Sequence, residues 1–259
     1  MRNTSSFRGP WPPVVCTAIH AGHDLRPSVA DRIVVDDDTR RREEDPHTDR
    51  LIPRQVGSVV VHRSRFEVDL NRPRESAVYE TPDDAWGLTV WREPLQRREV
   101  EQSIDEYDDF YRRMAVVLDE AAGRGHFVLL DLHSYNHRRQ GPLQPPDDLA
   151  NNPVINVGTR WVDQDRWGET AAVVMDELRS HTLGGVPLDV RENVKFKGGN
   201  LTRWVNERYA GRGFALALEF KKVFMDEWTG EVDTAQLEAL GSALEAATRV
   251  LHDQLLEAE

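Results

Sequence analysis

The sequence contains a single cysteine among 259 residues and no long apolar segment. Cys16 cannot form an internal disulfide, so disulfide scaffolds and cysteine-based zinc folds are excluded. Its apolar neighbours Val14 and Val15 predict a buried thiol. No run approaches the ~20 apolar residues that cross a bilayer, and residues 1–13 lack the apolar core of a signal peptide. We therefore expect a soluble, cytoplasmic protein with no membrane partner.

An excess of positive charge is also missing. The chain has 33 Lys and Arg residues against 45 Asp and Glu residues, which gives a net charge of −12. Proteins that bind nucleic acids usually present a basic surface. We therefore expect no nucleic-acid partner, and the oligomeric state stays open.

The length suits a single α/β domain over residues 1–259, with residues 1–13 as a loose lead-in. Apolar runs and hydrophobic periodicity predict the elements. Strands are expected at 14–19, 57–62, 127–133, 154–157 and 214–220, and helices at 45–55, 101–123, 165–183 and 234–256. This alternation predicts a mainly parallel mixed sheet covered by helices on both faces. The charge run at 36–45 is expected to be a solvated loop.

Two of the predicted strands end in a histidine, His20 and His133. Sites in open α/β sheets form beyond the carboxyl ends of the strands, and neutral imidazole is a common zinc ligand. One such histidine is more often simply hydrogen-bonded, but two at equivalent ends favour a metal site. His23 is an ambiguous further ligand or a supporting group, because Gly22 and Pro27 imply a tight loop around it.

Carboxylates near these histidines are candidates for a third metal ligand. Catalytic zinc usually has three protein ligands and one open position. Asp45 is the preferred third ligand, and Glu44, Asp49 and His23 are the alternatives. Asp131 precedes His133 by two residues and so shares its face of the strand, where it can hydrogen-bond a ligating imidazole from behind.

A further carboxylate, Glu219, lies on the same strand face as Ala215 and Ala217. These small neighbours leave room beside it. The alternative is an exposed glutamate that pairs with Lys221 or Lys222.

Six motifs between about residues 20 and 227 occur in the order found in one enzyme family. They are HAGHDLRP, EEDPHTDRL, RFEVDLNRP, VLLDLHS, KFKGGNLTRWV and ALALEFKKVFMDE. Over this range the chain resembles the N-formylglutamate amidohydrolases. The resemblance implies the zinc-exopeptidase (phosphorylase/hydrolase-like) fold and cleavage of an N-acyl amide on an acidic amino acid, a small-molecule substrate. It implies one Zn²⁺, or another divalent metal, as the cofactor.

The same resemblance assigns roles residue by residue. His20, Asp45 and His133 match metal-site positions, Asn71 and Arg72 match the substrate-binding pair, and Glu219 matches the late-strand glutamate. Glu219 would be the general base. Arg72 would bind a substrate carboxylate through two hydrogen bonds. The chain has His23 where related carboxypeptidases and aspartoacylases have an acidic residue. It also has Ile19 where the first motif of the family usually has a proline.

Arg65 and Arg203 are further candidates for substrate binding, although a surface salt bridge explains either one equally well. Two other functions stay open. One is hydrolysis of another N-acyl amino acid or small amide, and the other is a non-catalytic metal-binding domain for interaction or sensing. A base at position 219 argues against the second, because metal binding alone requires none.

Overall fold

A seven-stranded mixed sheet organises the chain. The computed structural model describes residues 4–11 and 13–257. The strand order is β1-β3-β2-β4-β9-β5-β8, and all neighbours are parallel except the pairs β1–β3 and β5–β9. The strands are β1 (Ser5–Arg8), β2 (Val14–Ala18), β3 (Gly57–Val61), β4 (Phe127–Tyr135), β5 (Ile155–Gly158), β6 (Thr182–Leu183), β7 (Val186–Pro187), β8 (Val190–Glu192) and β9 (Gly213–Lys221). Strands β6 and β7 form a separate hairpin.

Helices cover both faces of this sheet. They are α1 (Pro27–Ala30), α2 (Asp37–Glu43), α3 (Thr48–Leu51), α4 (Arg97–Ala122), α5 (Gln164–Ser180), α6 (Asn200–Arg208) and α7 (Thr234–Glu257). One apolar core packs α5 and α7 against the sheet, and the other packs α4 and α6 against the opposite face. No helix in the described ranges has the length and apolar character needed to cross a membrane.

The central strands β4 and β9 are buried along their whole length. Successive side chains of a strand point to opposite faces. Leu130 and Leu216 therefore join the core under α5 and α7, whereas Leu129 and Ala215 join the core under α4 and α6. His133 and Glu219 continue the second set, so both lie on the α4 and α6 face near the carboxyl end of the sheet.

The predicted fold class is confirmed, including the mainly parallel sheet with helices on both faces. Two strands end at other residues than predicted, and this changes where the two histidines lie. Strand β2 ends at Ala18, so His20 lies in the turn that follows it, and β4 continues to Tyr135, so His133 lies inside the strand. The predicted loose lead-in contains β1, which pairs with β3 at the edge of the sheet.

The charge run at 36–45 is not a solvated loop. Asp36 caps the first turn of α2 by accepting a hydrogen bond from the Thr39 amide, and Arg40, Glu43 and Asp45 are buried. Composition alone suggests solvent exposure because isolated charges are costly to bury. These charges are buried because they meet partners that are distant in sequence, such as Arg139 for Glu43.

Candidate functional site

His20, Asp45 and His133 come together at the carboxyl end of the sheet. His20 follows β2, His133 lies in β4, and Asp45 lies between α2 and α3. Oδ2 of Asp45 is 3.0 Å from Nδ1 of His133 and 3.4 Å from Nδ1 of His20. One ligand atom from each residue lies within 4.8 Å of the other two, and all three residues are buried. This spacing leaves these donor atoms close enough to share one cation.

Each imidazole is held from behind by a second carboxylate. Nε2 of His20 lies 2.7 Å from Oδ1 of Asp69, and Nε2 of His133 lies 2.8 Å from Oδ2 of Asp131. A carboxylate only accepts hydrogen bonds, so Nε2 carries a proton in each ring. Nδ1 of each ring faces the Asp45 carboxylate, which is the arrangement expected for metal ligands that are oriented by carboxylates.

Asp69 is a site residue that sequence reasoning did not assign. It is fully buried and also accepts hydrogen bonds from the guanidinium of Arg65 at 2.8 Å and from the hydroxyl of Tyr79 at 2.5 Å. Its only sequence signal was its position in RFEVDLNRP, two residues before Asn71. Asp69 is far from His20 in the sequence, so their contact could not be predicted. Asp131 was found because it lies on the same strand as His133.

The electrostatics of this cluster favour a bound cation. Burial opposes ionisation of Asp45, but its contacts with His133 and His20 hold its pKa below the ordinary value. Burial likewise opposes the charge on His133, but the Asp131 carboxylate raises its pKa well above the ordinary value. Nδ1 of His20 is buried and has no hydrogen-bond partner among the residues that the structure describes. Two imidazoles and a carboxylate suit zinc, so the donor set fits the implied metal.

Glu219 lies next to this cluster, directly opposite His133 in the pairing of β9 with β4. Burial raises its pKa to about 7, and the nearby His133 only partly offsets this effect. It lines the same cavity as His20, Asp45 and His133, which has a volume of about 190 Å³. A carboxyl group with this pKa can take up and release a proton near neutral pH.

The cavity wall also carries cationic side chains. These are Arg42, Arg65, Arg139 and Lys222. Arg139 makes two contacts with the Glu43 carboxylate, and Nε of Arg42 lies 3.6 Å from the same carboxylate. Lys222 donates to the backbone carbonyls of Arg42 and Glu44, which are neutral acceptors. The same wall carries the carboxylates of Glu43, Asp45 and Glu219, so these cations are partly balanced within the cavity.

Two of the four predicted substrate-binding residues line this cavity, namely Asn71 and Arg65. Arg72 does not. Its guanidinium donates to the carbonyl of Asp84 and lies 4.6 Å above the Tyr79 ring. It thereby supports the segment that carries Trp86 on the cavity wall.

Arg203 lies in a separate groove and donates to Oδ1 of Asn200 at 2.7 Å. The structure therefore does not bring Arg72 or Arg203 to the site with Asn71.

The alternative third ligands occupy other positions. Asp49 is exposed on α3. His23 and Glu44 contact one another through Nδ1 and Oε2 at 2.6 Å, and Glu44 also accepts from the hydroxyl of Ser64. Nε2 of His23 contacts Arg40. Both nitrogens of His23 are thus engaged within the packing of α2, which leaves Asp45 as the acid between the two histidines.

Comparison with known proteins agrees with this architecture. The family model described as N-formylglutamate amidohydrolase matches residues 12–225. The structure resembles a crystal structure of N-formylglutamate amidohydrolase from Ralstonia eutropha JMP134, with a TM-score of 0.77 and 20% identity, covering 98% of this chain and 99% of that one. It also resembles a gene product from Agrobacterium tumefaciens, with a TM-score of 0.63 and 16% identity, covering 93% of this chain and 91% of that one. No curated protein sequence matches the chain.

Proposed function

Because this chain belongs to the N-formylglutamate amidohydrolase family and is an amide hydrolase, we propose that it cleaves N-formylglutamate to glutamate and formate in a zinc-dependent reaction. The single observation that carries the proposal is the buried group of His20, Asp45 and His133 with Glu219 beside it. Nδ1 of His20 has no hydrogen-bond partner within residues 4–11 and 13–257, which supports the assignment of this group as a metal site.

In the proposed site, Nδ1 of His20, Nδ1 of His133 and the Asp45 carboxylate hold the metal. Zinc bound there supplies a Lewis acid that acidifies water and polarises the amide carbonyl. Asp69 and Asp131 keep the two imidazoles in the tautomer that presents Nδ1. Three carboxylates around two neutral imidazoles provide negative charge that offsets the charge of a divalent cation.

Glu219 is the proposed general base and acid. It takes a proton from the attacking water and returns it to the amide nitrogen as the bond to the acyl carbon breaks. This role requires a carboxylate within hydrogen-bonding reach of the reacting atoms. Its position opposite His133, on the wall of the same cavity, supports it.

Substrate recognition is assigned to Asn71 and Arg65. Three hydrogen bonds fix the guanidinium of Arg65, to Tyr79, Glu43 and Asp69, and arginine has five N–H donors in all. A fixed guanidinium on the cavity wall suits a substrate carboxylate. Arg42, Arg139 and Lys222 lie on the same wall, whose cationic side chains outnumber its carboxylates Glu43, Asp45 and Glu219, which supports an acidic amino acid as the product.

A turnover assay separates this function from its alternatives. The zinc-loaded protein is assayed for formate release from N-formylglutamate, and the same protein is assayed after chelation and after zinc is restored. We expect zinc-dependent turnover that is faster for N-formylglutamate than for its carboxamide analogue or for N-acetylglutamate. Faster turnover of another N-acyl amino acid favours the alternative substrate class, and metal binding without turnover of any amide favours the non-catalytic domain.

A further inference from the structure

A polar network on the far side of Asn71 connects α4 and α6 to the loop that carries this residue. Leu70 and Arg72, on either side of Asn71, each have a backbone carbonyl that accepts a hydrogen bond from a tyrosine of α4. The hydroxyl of Tyr111 donates to Leu70 at 2.7 Å, and that of Tyr107 donates to Arg72 at 3.0 Å. The backbone on both sides of Asn71 is thus tied to one helix.

Asn200, the first residue of α6, joins the two tyrosines. Its Nδ2 lies 3.0 Å from the hydroxyl of Tyr107 and 2.8 Å from that of Tyr111. Its Oδ1 accepts from the guanidinium of Arg203 at 2.7 Å. A guanidinium only donates, so this contact fixes the Asn200 amide with its NH₂ group toward the hydroxyls. The donors then follow one direction, from Arg203 through Asn200 and the tyrosines to the loop carbonyls.

The start of α6 also fixes the side chain of Asn71 itself. The Leu201 amide donates to Oδ1 of Asn71 at 3.1 Å, and the Asn200 amide donates to the Asn71 carbonyl at 3.1 Å. An amide N–H can only donate, so the Asn71 side chain must turn its oxygen to α6 and its NH₂ group away. That NH₂ group lies 3.4 Å from Nε2 of His133, on the wall of the cavity.

Gly199 makes this approach possible. A Cβ atom at this position would lie 2.2–2.4 Å from Oδ1, Nδ2 and Cγ of Asn71, closer than any real contact. The φ angle of Gly199 is −101°, which other residues adopt without strain. The absence of a side chain at Gly199 is therefore explained by its contact with Asn71 and not by a special backbone conformation.

We propose that Asn200, Tyr107 and Tyr111 are positioning residues that, with Gly199, hold the Asn71 amide in the one orientation that presents its NH₂ group to the substrate. The proposal rests on the proposed function insofar as Asn71 contacts substrate. It assigns Arg203, expected to bind substrate, to the outer end of this network. It also explains why the KFKGGNLTRWV and RFEVDLNRP motifs belong to one site although neither Asn200 nor Arg203 lines the cavity.

The test combines two perturbations with a matched control. Tyr111→Phe removes one hydroxyl of the network, and Gly199→Ala introduces a Cβ against Asn71. Tyr209→Phe is the control, because this hydroxyl also contacts α4, at the other end of α6, where it lies 2.8 Å from the Asp119 carboxylate and 3.2 Å from the Ala115 carbonyl. We expect kcat/KM on N-formylglutamate to fall ~10- to 100-fold in the first two variants, the usual effect of misplacing a binding group. The control should stay within about twofold of the parent.

The same changes in an Asn71→Ala background distinguish positioning from general stability. Asn71→Ala removes the atoms that the new Cβ would meet and the amide that the network orients. Neither Tyr111→Phe nor Gly199→Ala should lower kcat/KM further in that background, although Tyr111→Phe should lower the melting temperature in both backgrounds. If the losses in kcat/KM instead multiply, the network does not act through Asn71 and the proposal is overturned.

A readout without turnover keeps this result separate from the proposed function. The side-chain NH₂ resonances of Asn71 are assigned by their loss in Asn71→Ala and followed by ¹H–¹⁵N NMR. They should move in Tyr111→Phe and Gly199→Ala but stay in place in Tyr209→Phe. Resonances that stay in place in all three variants overturn the positioning network even if the enzyme is active, and moving resonances support it even if N-formylglutamate is not the substrate.

Discussion

Glu219 and His133 are direct partners across the parallel strands β9 and β4. Because both strands are fully buried, the register between them is set by the core and not by the site. The carboxyl group therefore has a fixed position beside the imidazole, and a change at Glu219 can be made without moving the histidine.

Glu219→Gln should preserve the shape of the site and remove its base. We expect kcat to fall ~10²- to 10⁴-fold, the usual contribution of a general base, with bound zinc and KM little changed. Steady-state kinetics and metal analysis of the same preparation measure both. The control is Glu238→Gln on an exposed position of α7. Turnover of Glu219→Gln close to that of the control would eliminate the assignment.

Asp45→Ala should abolish stoichiometric zinc binding, because Asp45 is the acid between the two histidines. His20→Ala and His133→Ala should do the same. Asp49→Ala, which changes an exposed carboxylate nearby, should keep one zinc per chain. Metal content after dialysis measures the difference, and retention of zinc by Asp45→Ala with loss in His23→Ala would transfer the third-ligand role to His23.

Asp69→Asn should weaken zinc binding without removing it. Asp69 holds Nε2 of His20 but does not reach the metal position itself. Loss of such a carboxylate typically costs 10- to 100-fold in metal affinity. Competition with a chromophoric chelator measures the affinity, and Asp131→Asn, which acts on His133, should behave alike. An affinity unchanged in Asp69→Asn contradicts this role.

Arg65→Lys should reduce the preference of the enzyme for an acidic substrate. The preference is the ratio of kcat/KM for N-formylglutamate to that for its carboxamide analogue. A charge-assisted hydrogen bond is worth ~1.5–3 kcal/mol, and a lysine cannot replace two parallel guanidinium bonds. Arg72→Lys should change this ratio less, because Arg72 is engaged with Asp84 and Tyr79. If Arg72→Lys lowered this ratio more than Arg65→Lys does, Arg72 would again be the carboxylate-binding residue.

Lys222 should make the stability of the protein depend on pH above neutrality. Burial lowers its pKa from 10.5 to about 8. Between these two values the unfolded chain binds the proton and the folded chain does not, so the free energy of unfolding rises with pH, by ~3 kcal/mol over the whole interval. Below pH 8 the folded protein must bury the charge, and this contribution is absent.

The comparison variant for this effect is Lys222→Met. The difference in unfolding free energy between the parent and Lys222→Met is measured by denaturant unfolding at pH 7.5, 9 and 10.5. As the pH rises, the free energy of unfolding of the parent should increase relative to that of Lys222→Met. A difference that is constant across this range would show that Lys222 stays charged in the folded protein.

The sequence by itself determined the fold class and the two histidines of the site. Strand β4 was predicted from a continuous apolar run, and helices α4 and α7 were predicted from apolar residues at helical spacing. These patterns are local, so they do not depend on the tertiary arrangement. His20, His133 and Asp131 were found because chain position approximates where a strand ends and fixes which residues share its face. The exact ends differ, since His20 lies in the turn after β2 and His133 lies inside β4. Asp45 and Glu219 were singled out from their positions in the chain, and the family motifs then matched both.

Only the tertiary structure decided which charged residues reach the cavity. Asp69 supports His20 from 49 residues away, and Arg139 meets Glu43 across 96 residues. Helix α2 buries Arg40 and Glu43 although its composition resembles that of a solvated loop. Arg72 and Arg203 match their motifs, but their guanidiniums point to Asp84 and Asn200. A long polar side chain can point in several directions from one backbone position. Which direction it takes depends on the partners that folding brings near it.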